Sequence, residues 1–184
     1  MSPGQTLVAI GRRSLTEPRP AAADLMALGL PMQAVWTGFF LTNILGILVS
    51  SLLPGAAGSP FLSALFAIAL SLGSVVVVVH VGRALGGHGT FADTLLLTTF
   101  LSALVLVGQV AQLVLSLVFP PVAGIFGIAV ILMAVWLNVN FIAAIHGFSS
   151  LLRALGVMVL GSFVLALGVM VVLALTGNLP EPPA

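Results

Sequence analysis

The chain contains no cysteine, no tyrosine and no lysine, and only 5% of its residues are charged. The absence of cysteine excludes disulfides and thiolate metal sites. Soluble domains carry about a quarter charged residues, so this chain cannot cover a surface that faces water. Its net charge of +1 is too small to indicate nucleic acid as a partner. We therefore expect the protein to be solvated by lipid.

Long apolar runs dominate the sequence, which is 60% hydrophobic and has a mean hydropathy of +1.31. Runs of about 20 residues are long enough to cross a bilayer as helices. The five valines Val75–Val79 would favour a strand in water, but an open strand in lipid leaves its amides unpaired, so a helix is expected. The sequence predicts an all-α polytopic membrane protein, a compact bundle of five transmembrane helices over residues 34–53, 61–81, 94–119, 122–145 and 151–176.

The two ends of the chain fall outside these runs. Residues 1–33 are predicted to form a cytoplasmic segment with a short interfacial helix over Ala21–Leu30, capped by Thr16 and ended or kinked by Pro31. The alternative is a disordered N-terminal tail. Residues 177–184 are a Pro-rich tail.

The distribution of basic residues predicts the orientation. Because cytoplasmic loops carry the excess of Lys and Arg, the side with the arginines is predicted to be cytoplasmic and the C-terminus, with Glu181, to lie outside. Arginine without lysine is typical of a GC-rich bacterial genome, so we expect the bacterial inner membrane. All five basic residues fall on one predicted side: Arg12, Arg13, Arg19, Arg83 and Arg153.

Small and polar residues inside the spans predict helix contacts. Gly38, Thr42 and Gly46 recur on one face of the first span, a pattern that lets helices approach closely, either within the chain or in a homo-oligomer or partner complex. The candidate interhelical polar contacts are the amides of Gln109, Gln112, Asn138 and Asn140. We expect a glutamine to pair with an asparagine across the bundle, and a polar ligand pathway is the alternative.

Catalytic and metal chemistry find little support. No carboxylate lies deep in a span, so we expect no catalytic residue, no cofactor and no metal site. His80, His88 and His146, with Asp93, would have to converge without any known ligand spacing. The glycine-rich stretch from Gly82 to Gly89 lacks the Gly-Lys-Ser/Thr ending of a phosphate loop and is interpreted as a flexible turn before a helix capped by Thr90 or Asp93.

Three groups of short motifs stand out along the chain: Ser14-Leu15-Thr16-Glu17-Pro18-Arg19, Leu85-Gly86-Gly87-His88-Gly89-Thr90-Phe91, and Trp136 with His146-Gly147-Phe148-Ser149 and Arg153-Ala154. Together they resemble the bacterial branch of the Yip (Ypt-interacting-protein) membrane family. The first is similar to the acid-Pro-basic stretch before that family's first span, the second to its Gly-Gly-x-Gly-Ser/Thr-Phe loop, and the third to its Trp…His-Gly…Lys/Arg-Ala pattern.

The resemblance implies five spans and a cytoplasmic N-terminus. Eukaryotic members bind Rab-type GTPases through longer N-termini with an Asp-Leu-Tyr-Gly motif, which this tyrosine-free chain lacks, so GTPase binding is not carried over.

Our functional hypothesis is a non-enzymatic scaffold that acts through helix and lipid contacts. Its alternatives are a transporter or channel component with a polar cavity lined by Gln109, Gln112 and Asn138, and an accessory subunit of a larger complex. The candidate partner contact comprises Arg83, Gly86, Gly87, His88, Gly89, Phe91, Asp93, His146 and Arg153.

Overall fold

The computed structural model describes residues 3–53 and 59–175, and all regular secondary structure in these ranges is α-helical. This confirms the predicted all-α class. The predicted tail 177–184, residue 176 and the turn residues 54–58 lie outside the described ranges. The helices are α1 (Pro3–Ser14), α2 (Pro18–Ala27), α3 (Met32–Ser51), α4 (Pro60–Ala84), α5 (Phe91–Val118), α6 (Pro120–His146) and α7 (Leu151–Leu175).

Helices α3 to α7 are each long and apolar enough to cross a membrane, which confirms the five predicted spans. They contain 20 to 28 residues each, whereas a bilayer core requires about 20. The valine run Val75–Val79 is helical within α4. A helix satisfies its backbone N–H and C=O groups locally, so hydrocarbon overrides the strand preference of valine.

The N-terminal segment differs from the sequence prediction, because it forms two helices where one was expected. Helix α2 begins at Pro18, a residue suited to the first turn of a helix. Its N-cap is Glu17, and the Thr16 hydroxyl instead donates a 3.3 Å hydrogen bond to the Arg13 carbonyl. Pro31 does not end α2, which stops at Ala27; it directly precedes α3 as the N-cap residue.

Helix α1 was missed in the sequence because its apolar patch is too short to span. Leu7, Ile10, Gly11 and Ser14 nevertheless have the spacing of one helical face, and Ile10, Gly11 and Ser14 are buried. This face packs with α2 against α5 and α6. The shared core contains Ile10, Ala21, Ala22, Leu25, Leu97, Leu137 and Phe141.

Arg13 ties α1 to α2. Its guanidinium donates to Glu17 at 2.8 Å and to Asp24 at 2.6 Å. The hydrogen bond to Glu17 and the nearby carboxylates raise the pKa of Arg13, so its charge is permanent. Because these pairs are exposed, they orient the two helices more than they stabilise them. Arg19 extends the contacts by donating to the Ser149 carbonyl, between α6 and α7, at 3.3 Å.

The five spans pack in a bundle in which α4 and α5 contact most of the others. Helix α3 packs on α4 and α5, while α7 packs on α4 and α6, and α5 packs on α6. One end of the bundle carries the α4–α5 connection, the α6–α7 connection and the start of α2. It also carries the arginines, and we call it the arginine face: Arg12, Arg13, Arg19, Arg83 and Arg153.

The small-residue face of α3 is occupied within the chain itself. A Cβ atom built on Gly38 would lie 3.2 Å from the Thr99 side chain, and one on Gly46 would lie 3.5 Å from Gln109. Both contacts are to α5. Of the two alternatives that the sequence left open, the contact within the chain is therefore the one observed at Gly38 and Gly46, and a homo-oligomer or partner contact through this face stays a prediction.

The contact of Gly108 in α5 with α6 provides a test of how these two helices pack. A Cβ on Gly108 would lie 2.9 Å from Val130 of α6. Gly108→Val should therefore lower the free energy of unfolding by about 1–3 kcal/mol through overpacking. Thermal unfolding in detergent measures the effect, with Gly168→Val as the control, since nothing lies within 4 Å of a Cβ there. Equal melting temperatures for the two variants would contradict the observed α5–α6 packing.

Candidate functional site

The connection between α4 and α5, residues 85–90, forms the centre of the arginine face, and we call it the glycine loop. Gly86 has φ +86, a left-handed conformation that favours glycine, and it reverses the chain after α4. The Gly87 amide then donates to the Gly82 carbonyl at 2.9 Å. Thr90 ends the loop as the N-cap of α5, where its hydroxyl accepts from the Asp93 amide at 3.1 Å. Of the two cap residues expected from the sequence, Thr90 and Asp93, Thr90 is therefore the N-cap of α5.

His146, the last residue of α6, lies under the glycine loop and is only 2% exposed. Three glycines surround its side chain. A Cβ on Gly87 would lie 2.5 Å from His146 Cβ, and one on Gly89 would lie 2.5 Å from His146 Cε1. A Cβ on Gly82 would overlap the ring atoms Cε1 and Nε2. The glycines are therefore required as space for the imidazole, which corrects their interpretation as a flexible turn.

Hydrogen bonds hold the glycine loop on His146. The Gly89 amide donates to His146 Nδ1 at 3.1 Å, and the His88 amide donates to the His146 carbonyl at 3.4 Å. Because Nδ1 accepts a hydrogen bond, the neutral ring carries its proton on Nε2. Arg83 Nε donates to the Gly89 carbonyl at 3.0 Å, so α4 holds the loop from its other side. We call this arrangement of Arg83, the glycine loop and His146 the histidine latch.

The end of α6 places the imidazole through a glycine cap. Gly147 has φ +67, and the Phe148 amide bonds back to the Ala143 carbonyl at 2.9 Å. This is the Schellman pattern, which satisfies the last carbonyls of a helix. It also turns Phe148 back under the helix end, where its ring stacks on His146 with centroids 5.4 Å apart. Sequence reasoning missed the roles of Gly82 and Phe148.

The histidine latch buries some of the residues that were predicted to contact a partner. His146, Gly87 and Gly89 are buried, so they cannot belong to a contact surface while the latch is closed. The physical reason is that His146 supplies an acceptor for a backbone amide that would otherwise be unpaired. Asp93 is half-buried and accepts a hydrogen bond from the Thr90 hydroxyl at 2.5 Å. The exposed members of the set are Arg83, Gly86, His88, Phe91 and Arg153.

Phe91 is anchored although it is 37% exposed. Its ring lies 6.2 Å from that of Trp36, at the start of α3. Trp36 is therefore part of an aromatic group at the same end of the bundle as the glycine loop, which is the position that aromatic rings favour at a membrane interface.

Two of the four polar residues singled out within the spans have hydrogen-bond partners other than those expected. Gln109 Nε2 donates to Ser50 Oγ of α3 at 3.4 Å, and Asn140 Nδ2 donates to the Trp136 carbonyl of its own helix at 2.8 Å. Gln112 lies against Gly127 of α6. Asn138 lines a cavity between α4, α5, α6 and α7. The expected hydrogen bond between a glutamine and an asparagine is not formed among the described residues, since Gln109 bonds to Ser50 and Asn140 bonds to a carbonyl of its own helix.

The histidines do not converge on a metal site in the described part of the chain. No group of three or more His, Asp or Glu side chains there is arranged to hold an ion. His80 is exposed, and its Nδ1 lies 2.7 Å from the Val76 carbonyl of its own helix. His88 is exposed, whereas the ring of His146 is buried.

Comparison with known proteins identifies the chain by family. The family model described as the Yip1 domain matches residues 3–173. That range includes all seven helices except the end of α7. It confirms the resemblance inferred from the motifs of the glycine loop and the end of α6. No curated protein and no solved structure matches the chain.

A double substitution tests the histidine latch. Gly82→Ala alone should lower the free energy of unfolding by about 1–3 kcal/mol, because the added methyl group overlaps the imidazole. In a His146→Ala background the ring is gone, and the same change should stabilise the protein by up to about 1 kcal/mol through helix propensity. Unfolding in detergent, measured for all four combinations, gives the coupling between the residues.

Gly168→Ala provides the matched control for this cycle, because no atom lies within 4 Å of a Cβ at that position. Its effect should be the same with and without His146. Additive effects of Gly82→Ala and His146→Ala would show that the ring and the glycine do not share space. Hydrogen exchange at the Gly89 amide should also accelerate in His146→Ala, since the acceptor Nδ1 is lost.

Proposed function

Because this chain belongs to the Yip1 domain family, we propose that it is a non-enzymatic scaffold that organises membrane around its arginine face. The observation that carries the proposal is the concentration of charge there. Five arginines face only three carboxylates, Glu17, Asp24 and Asp93, which leaves a local net charge of +2. Such a surface at the end of an apolar bundle is suited to anionic lipid headgroups, each basic residue contributing about 1 kcal/mol near the membrane surface.

The arginine face is proposed to be cytoplasmic, in a bacterial inner membrane. The positive-inside rule supports this orientation, since the arginines lie before α3, in the last turn of α4 and at the start of α7. The turn from Val118 to Pro120 carries no basic residue and is proposed to face the outside, together with the C-terminus.

The histidine latch supports a second part of the proposal, which is a fixed contact surface for a protein partner. The surface consists of the exposed residues Arg83, His88, Phe91 and Arg153, with Gly86 between them. A loop that is tied to both α4 and α6 presents these side chains without a large ordering cost on binding. The proposal uses no reacting group, and GTPase binding is not part of it.

A transporter or channel component remains the second candidate function, because Asn138 lines an internal cavity. The accessory-subunit alternative has lost its main support, since α5 covers the small-residue face of α3. Of the three residues expected to line a polar cavity, only Asn138 does so. Gln109 and Gln112 are not among the residues around it.

Anionic lipid binding can be measured by native mass spectrometry of protein taken from bilayers that mix phosphatidylglycerol and phosphatidylcholine. Wild type should retain phosphatidylglycerol in excess. Replacing the exposed Arg12 and Arg153 by glutamine should reduce this preference about tenfold or more, at about 1 kcal/mol per residue. Leu152→Ala is the control, because it alters an exposed neighbour without changing charge. An unchanged preference in the arginine variant would contradict the proposal.

The orientation has a separate test that uses the absence of native cysteine. A single cysteine at His88 should react with an impermeant thiol reagent only after the cytoplasmic side is opened. A single cysteine at Phe119, in the short turn between α5 and α6, should react from the outside in intact cells. Labelling of both positions from the same side would reject the proposed threading.

A further inference from the structure

A cavity of about 130 Å³ lies between α4, α5, α6 and α7, and five of the fifteen residues that line it are polar. Cavities that stay empty in proteins are apolar, whereas polar ones hold water or ligand. Hydroxyl and amide side chains from all four helices line this one: Ser74, Thr94, Thr98, Asn138 and Ser162.

The hydrogen bonds of the lining show what the cavity offers to a guest. Ser74 Oγ donates to the Ser71 carbonyl at 2.7 Å, and Thr94 Oγ1 donates to the Thr90 carbonyl at 2.7 Å. Since these hydroxyl protons are already used, both oxygens present only lone pairs to the cavity. A molecule bound there must bring its own donor hydrogens.

Three further polar side chains are available to such a molecule. No hydrogen bond joins the side chains of Thr98, Asn138 or Ser162 to another described residue. Asn138 can both donate and accept, and so can the two hydroxyls. Polar groups in a membrane interior that lack partners cost free energy, so water or a ligand in the cavity lowers that cost.

The absence of charge in the lining selects against ions. None of the residues around the cavity is Asp, Glu, Arg or His. A charged guest would lose its hydration without gaining a counterion, which is costly in a membrane interior. An uncharged molecule with several hydroxyl groups satisfies both the donors and the acceptors of the lining.

The cavity lies next to the histidine latch and has an edge at Ser162. Ile145 lines the cavity, and a Cβ on Gly89 of the glycine loop would lie 2.6 Å from its Cγ2. The glycine loop of the latch therefore packs against one residue of the cavity lining. Ser162 is exposed, so its side chain marks a rim where the lining reaches the surface of the bundle.

We propose that this cavity is a hydrated binding site for a small uncharged polyol, held by hydrogen bonds to Asn138 and the surrounding hydroxyls. The volume fits such a guest, because a cavity of about 150 Å³ in another protein binds benzene, whose six non-hydrogen atoms equal those of glycerol. The polyol group can come from a free solute or from the glycerol headgroup of a lipid such as phosphatidylglycerol, which presents the same vicinal hydroxyls.

Single cysteines test the proposal in reconstituted full-length protein. The thiol reacts as a thiolate, which forms only where water reaches it. Thr98→Cys, in the cavity, should react with methyl methanethiosulfonate at least tenfold faster than Val107→Cys on the same helix, whose side chain is 70% exposed on the outside of the bundle. Ser162→Cys at the rim provides a second position should the Thr98 variant fail to fold. Equal rates in the cavity and at Val107 would overturn the hydrated site.

Protection experiments identify the guest. In phosphatidylcholine vesicles, glycerol should slow labelling in the cavity but not at His88→Cys in the glycine loop. Protection that appears only when phosphatidylglycerol is added would assign the polyol group to a lipid headgroup. Asn138→Ala should remove either protection while leaving the labelling itself fast. Fast labelling with no protection from glycerol or phosphatidylglycerol would overturn the polyol site.

Discussion

The structure depends on one constraint: a backbone amide or carbonyl inside a bilayer must find its partner within the protein. The five long helices meet this requirement along their length, so the difficulty is confined to the points where a helix stops. Where α5 meets α6, Pro120 supplies no N–H group, and the Phe119 amide bonds back to Leu115. Where α4 meets α5, the chain needs a longer connection, and there a side chain from a third helix completes the hydrogen bonding.

His146 therefore has a structural role that links three helices. Its carbonyl and its Nδ1 accept from successive residues of the glycine loop, and Arg83 holds the same loop from α4. Each of Gly82, Gly87 and Gly89 lacks the Cβ that would displace the ring. In this chain, the motif that resembled the Yip family in the loop and the motif at the end of α6 are thus two halves of one contact.

The spans and their number could be predicted because lipid imposes one secondary structure on any long apolar run. Helix α1 could not, since the four positions of its packed face become meaningful only when α5 and α6 are present to cover them. The hydrogen-bond partners of Gln109 and Asn140 could not be predicted from the sequence either. The rotation of a helix about its axis decides whether an amide side chain bonds to Ser50 or to a carbonyl of its own helix. The glycine loop and His146 were both singled out in the sequence, but their contact spans 57 residues and leaves no local signal.

The sequence separation within the latch also has a consequence for biosynthesis. The ribosome synthesises α4, the glycine loop and α5 before α6. The Gly89 amide therefore has no imidazole acceptor until His146, 57 residues later, has been added. Until then the Gly89 amide can bond only to water or to other parts of the chain. Because the acceptor is the last residue of α6, this hydrogen bond can form only late in translation, after four of the five spans have been synthesised.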